Sequence, residues 1–117
     1  MAKILVVDDQ EKVRGVFVEL LETEGHEVTQ ASDGQEGFEI FKEGGFSVVI
    51  TDKSMPNMNG CELRRAIEAF EEKKDIPHQQ RTPVILITAE HDGFDAVLPK
   101  PLRRLDILTA IVSALSS

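Results

Sequence analysis

The sequence predicts an α/β domain built on a doubly wound, five-stranded, mostly parallel sheet with helices on both faces, and three observations lead there. Short apolar runs, Ile4-Leu-Val-Val7, Phe46-Ser-Val-Val-Ile-Thr-Asp52 and Val84-Ile-Leu-Ile87, are nearly continuous instead of alternating, as suits strands covered on both sides. Between them, apolar residues recur at helical spacing, so strands and helices alternate as in βα units. Third, the runs end abruptly in polar residues: Asp8 and Asp9 after the first, Asp52 closing the second, Thr88 after the third, and Lys100 shortly after Ala96-Val-Leu98. In open sheets of this kind ligand chemistry gathers outside the carboxyl ends of the strands, where the connectivity reverses.

In chain order, Lys3-Ile-Leu-Val-Val7 is the first strand, and Val13, Val16, Phe17, Leu20 and Leu21 form one stripe of a helix that Gly25 ends. Glu27-Val-Thr-Gln-Ala31 is a shorter, more polar strand suited to a sheet edge. Ser32 with Gln35 fits a capping box for a helix that runs through Phe38 and Phe41 and stops at Gly44-Gly45. The strand from Phe46 delivers Asp52, and Lys53 to Gly60 is a loop by its Pro, Asn and Gly content. A helix follows with Leu63, Ala66, Ile67 and Phe70 inward, fading into the charged Glu71-Glu-Lys-Lys-Asp75. Pro83 opens the next strand, where its missing donor does no harm. A last helix turns Leu105, Leu108, Ile111, Val112 and Leu115 inward. Right-handed crossovers and a reversal beside the first strand give the order 2-1-3-4-5, which crowds Asp8, Asp9 and Asp52 together.

A chain of 117 residues is expected to form one domain over residues 1–117. With 13 Lys and Arg against 21 Asp and Glu, a net charge of −8 disfavours nucleic acid or an anionic membrane as the main partner. No apolar run approaches the roughly 20 residues of a membrane span, and the first residues lead into a strand, not a signal peptide; a cytoplasmic location is expected. A lone Cys61 allows no internal disulfide, in keeping with a reducing compartment.

Three carboxylates held close repel one another unless protons or a cation offset the charge. Mg²⁺ suits the inventory best: it takes oxygen ligands, keeps several waters, and is commonly held by one or two carboxylates plus phosphate oxygens. Zn²⁺ fits poorly, since His26, His78 and His91 are scattered and Cys61 adds no ligand pair. With a metal bound, one Asp can act as a nucleophile toward phosphorus, Lys100 can supply a point charge, and the Thr88 hydroxyl a hydrogen bond to phosphoryl oxygens. Singly, each residue has an ordinary reading: a strand end, a helix cap, a surface cation. Jointly, at the strand ends of one sheet, they describe a site.

These residues resemble the receiver domain of two-component response regulators, whose fold is flavodoxin-like. The resemblance rests on Ile4-Leu-Val-Val-Asp-Asp9, Asp33-Gly34, Thr51-Asp52 with Met55-Pro56 and Asn59-Gly60, Pro83 to Thr88-Ala89, and Lys100-Pro101. It implies that Asp52 accepts a phosphoryl group from a histidine kinase or phosphotransfer protein, and that Asp9, Asp52 and the main-chain carbonyl of Ser54 hold Mg²⁺ directly while Asp8 acts through water. It further implies that Thr88 and Lys100 contact the phosphoryl group and that the Lys100–Pro101 bond is cis. Such a protein signals by binding and is no enzyme beyond assisting its own phosphorylation and dephosphorylation.

The sequence also departs from that family. Only Glu90 to Phe94 separate Ala89 from the next strand, where the family has a full helix, so the fourth helix is predicted to be absent. Val97 stands where Tyr or Phe is usual. Without that helix Ile85, Ile87 or Val97 would lose cover, and a second copy of the chain or the cognate kinase is expected on the open face. Two other functions stay in view: a phosphate-independent interaction module that keeps the acidic cluster, and a phosphatase of the haloacid-dehalogenase type. The latter calls for Asp-x-Asp, where this chain has adjacent Asp8 and Asp9.

Overall fold

The computed structural model describes residues 2–52, 55, 57–87 and 96–98, with residues 78 and 96–98 described by their backbone alone. The roles expected of Ser54, Thr88 and Lys100, the cis Lys100–Pro101 bond, the absent fourth helix and the last helix lie outside these residues.

The elements alternate as expected: β1 (Lys3–Val7), α1 (Glu11–Thr23), β2 (Glu27–Ala31), α2 (Gly34–Lys42), β3 (Val48–Asp52), α3 (Gly60–Lys73), β4 (Val84–Ile87) and β5 (Ala96–Leu98), with a short 3₁₀ turn at His78–Gln80. All pairings are parallel and the strand order is β2-β1-β3-β4-β5. The sheet is covered on two sides. Ile4, Val6, Val48, Ile50, Ile85 and Ile87 pack with Phe17, Leu20 and Leu21 of α1. Leu5, Val7, Val49 and Val84 pack with Phe41 of α2 and with Leu63 and Ile67 of α3. This two-sided burial is why the central strands read as continuous apolar runs.

Helix ends follow local chemistry. At the end of α1, His26 N–H donates to the Leu21 carbonyl at 3.1 Å and Gly25 N–H to Glu22 at 3.0 Å, with Gly25 at φ 89°. That is a Schellman termination, and it needs the left-handed conformation glycine adopts without strain. Asn59 and Glu62 cap α3 reciprocally: Glu62 N–H donates to Asn59 Oδ1 at 2.9 Å and Asn59 N–H to Glu62 Oε1 at 3.0 Å.

Several sequence expectations are corrected. The cap of α2 is Asp33, whose Oδ1 accepts from the Glu36 amide at 2.8 Å, while Glu36 Oε1 takes the Ser32 amide at 2.7 Å. The cap therefore sits one residue later than the Ser32–Gln35 reading: Asp33 accepts the free amide, while the amide and hydroxyl of Ser32 both donate to Glu36 Oε1. Val16 is 62% exposed, so the inward stripe of α1 is narrower than its apolar spacing suggested. β3 begins at Val48; Phe46 instead stacks on Phe41, with ring centroids 6.3 Å apart, and carries Lys3 Nζ 4.6 Å above its ring. Glu71, read as the start of a charged run, is 4% exposed and accepts from the Thr82 amide at 3.1 Å and the Thr82 hydroxyl at 2.9 Å. Finally, Ile85 and Ile87 are fully buried and pack with α1, so these two residues do not lose the cover that was expected to be missing.

Candidate functional site

The register fixes the site. Val7 lies opposite Thr51 on adjacent parallel strands, so the next residue of each chain segment, Asp8 and Asp52, leave the sheet side by side. Both are buried, Asp8 at 1% and Asp52 at 5% exposure, while Asp9 faces solvent. One carboxylate oxygen from each of the three lies within 4.8 Å of the others. At such a spacing like charges repel one another, more strongly where they are buried. Two buried and one exposed carboxylate thus offer an all-oxygen donor set of the kind that could hold a hard divalent cation. No other group of three or more His, Cys, Asp or Glu with metal-ligand spacing occurs among the described residues.

Asp8 is held by its backbone as much as by its side chain. Its N–H donates to the Ala31 carbonyl at 3.1 Å, continuing the β1–β2 ladder one residue past the strands. Its Oδ1 accepts from the Gln10 amide at 2.8 Å, closing a tight turn before α1. Its carbonyl accepts from Arg14 Nη1 at 2.7 Å, and Arg14 Nε donates to Gln30 Oε1 at 3.1 Å. Behind Asp52, the buried Thr51 hydroxyl donates to the Asp52 carbonyl at 3.0 Å.

The loop after β3 is pinned at its far end. Asn57, at φ 68°, donates from Nδ2 to Asp33 Oδ2 at 3.1 Å. Gly34, first residue of α2, lies so close to the Met58 backbone that a β-carbon there would collide with it. Hydrogen bonds, the Glu36 amide foremost and then those of Asn57 and the Gln35 backbone, hold the Asp33 carboxyl below its ordinary value against the opposing effect of burial.

Thus the structure brings together Asp8, Asp9 and Asp52 as expected. Arg14, Gln30 and the Asp33–Asn57 link were missed by sequence reading. Arg14 had a readable signal, since a side chain in the first turns of a helix leans toward the N-terminus and can reach the end of the preceding strand.

A doubly wound parallel sheet with an acidic cluster at its switch point defines the flavodoxin-like receiver class. The chain belongs to the response regulator receiver domain family, whose pattern it matches over residues 4–111. It is therefore a receiver domain of two-component systems. It is 34% identical to the uncharacterized transcriptional regulatory protein YkoG of Bacillus subtilis, covering 96% of this chain and 50% of that protein. It is 36% identical to the CAI-1 autoinducer sensor kinase/phosphatase CqsS of Vibrio cholerae, covering 96% of this chain and 17% of that one. The chain thus spans half or less of these relatives. A receiver domain protein from Clostridium thermocellum superposes with a TM-score of 0.81 at 36% identity, covering 99% of this chain and 95% of that one.

Proposed function

We propose that the chain is a phosphoacceptor. Asp52 takes a phosphoryl group from a histidine kinase or a phosphotransfer protein, and the modified domain signals by protein–protein interaction. The observation that carries this reading is the placement of the Asp52 carboxylate, buried at the end of β3, within 4.8 Å of the carboxylates of Asp8 and Asp9. The 36% identity to a sensor kinase/phosphatase supports a partner from the same signalling class.

In the step itself, an Asp52 oxygen forms a bond to phosphorus as the N–P bond of a phosphohistidine breaks; the departing imidazole keeps the bonding pair and takes up a proton. Attack of water on the same phosphorus later releases phosphate and restores the carboxylate. Asp9, Asp52 and, by the family resemblance, the Ser54 carbonyl would hold Mg²⁺, which when bound would supply positive charge against the phosphoryl oxygens. Asp8 serves that site indirectly, consistent with Oδ1 being engaged by the Gln10 amide. By the family resemblance, Thr88 and Lys100 would contact the phosphoryl group. In this reading the chain acts on no separate substrate and works in the cytoplasm.

Incubation with a small phosphodonor and Mg²⁺, read by intact mass, tests this. The parent gains one phosphoryl group and loses the gain under chelation, while Asp52→Asn gains none. An equal yield in Asp52→Asn would refute the assignment.

A further inference from the structure

We propose that Arg14 is a positioning residue for the acidic site, acting through the main chain of Asp8 with Gln30 as its brace. The inference rests on the cation site proposed above. Asp8 follows the last residue of β1, a place where the sheet ladder ends and a chain would otherwise fray. There its amide is fixed on Ala31, its Oδ1 on the Gln10 amide, and its carbonyl on Arg14 Nη1 at 2.7 Å.

The guanidinium fork makes this possible. Its donors diverge, so Nε engages Gln30 Oε1 at 3.1 Å while Nη1 engages the Asp8 carbonyl. Gln30 sits on β2 and Arg14 on α1, so one side chain ties the strand end to the elements on either side of it. A rotated Asp8 peptide would swing both its own carboxylate and that of Asp9, which is the next residue and exposed. The bond therefore sets the direction of two of the three carboxylates. It also brings a permanent positive charge to the main chain at the end of β1. A lysine brings the charge but not the divergent donors.

Isothermal titration of the purified protein with MgCl₂ tests the role, because the chain has neither Trp nor Tyr to report binding by fluorescence. Removal of an outer partner of a metal ligand typically weakens affinity about 10- to 100-fold, and Arg14→Met is expected near the lower end of that range. Arg14→Lys falls between Met and the parent, and Gln30→Ala weakens binding less than Arg14→Met. The metal-free melting temperature of Gln30→Ala stays near the parental value, which a merely structural role would not combine with weakened binding.

An unchanged dissociation constant in Arg14→Met overturns the proposal, as does full recovery in Arg14→Lys, since charge alone would then suffice. If Arg14→Met fails to fold, Arg14→Lys and Gln30→Ala decide: parental affinity in both overturns the role. Absence of Mg²⁺ binding in the parent itself overturns the cation site and the role that rests on it, a result distinct from binding that ignores Arg14.

Discussion

At the scale of single residues, the site and its support depend on carboxylates in contrasting surroundings. Asp9 is exposed, whereas Asp8 is buried with Oδ1 bound to a backbone amide. Asp9→Ala is therefore expected to weaken Mg²⁺ binding more than Asp8→Ala; equal losses in titration calorimetry would contradict the division between a direct and an indirect ligand. Glu71 is a carboxylate with a different task. It lies near the end of α3 and takes both the amide and the hydroxyl of Thr82, just before β4. Glu71→Ala leaves the Thr82 amide without this acceptor, which typically costs about 1–3 kcal/mol when the group is buried. Urea unfolding followed by far-ultraviolet circular dichroism should show that loss, with Mg²⁺ affinity unchanged. Nothing in the run Glu71-Glu-Lys-Lys-Asp75 marks its first member as buried. Sequence shows the four-residue step from Ile67 to Glu71, but the acceptor's purpose emerges only when β4 arrives beside it.

At the scale of elements, the junction between α2 and the loop after β3 bears most weight. Gly34 has no room for a β-carbon against Met58, and Asn57 reaches Asp33 across the same junction. Gly34→Ala is expected to cost about 1–3 kcal/mol, as overpacking does, and to shift the amide resonances of residues 57 to 59. Loss of stability without any change in those resonances would mean that the helix, not the loop, gives way. The Asp33 carboxyl is held below its ordinary value chiefly by the Glu36 amide. A lowered folded value means that the unfolded chain binds a proton first as pH falls. The contribution is thus present above the ordinary carboxylate range and is lost as pH falls through the folded value. Asp33→Asn keeps a good cap but cannot titrate, so its stability should fall less steeply than the parent's below about pH 4. Parallel acid-unfolding curves would count against this. The sequence already carried the Asp33-Gly34 and Asn59-Gly60 pairs as motif residues. It did not reveal why Gly34 is there, because the colliding partner is main chain from 24 residues away, and main chain leaves no mark in a side-chain pattern.

At the scale of the molecule, parallel strands buried on both faces made the fold legible, since Ile4 to Val7, Val48 to Ile50 and Val84 to Ile87 are apolar whichever way they point. The same feature led the cover of Ile85 and Ile87 astray: a continuous run does not say which helix faces which residue, and these two turn to α1. The acidic site was legible for a related reason, as strand ends in a known order can be placed without knowing side-chain packing. That site also shapes stability as a whole. The chain carries a net charge of −8, and three carboxylates of the site lie within 4.8 Å of one another, so the folded state concentrates negative charge that the unfolded chain spreads out. A ligand that binds only the folded state stabilises it by RT ln(1 + [L]/Kd), about 2.7 kcal/mol at a hundredfold excess over Kd. For a domain of this size that corresponds to a rise in Tm on the order of 10 °C. MgCl₂ should produce such a rise and chelation should reverse it. Monovalent salt at matched ionic strength should produce a smaller rise by screening alone. Asp9→Ala should keep the response to monovalent salt and lose most of the additional response to Mg²⁺. If Asp9→Ala retained the full magnesium-dependent shift, the stabilisation would come from general screening, and the acidic cluster would not be the seat of the cation.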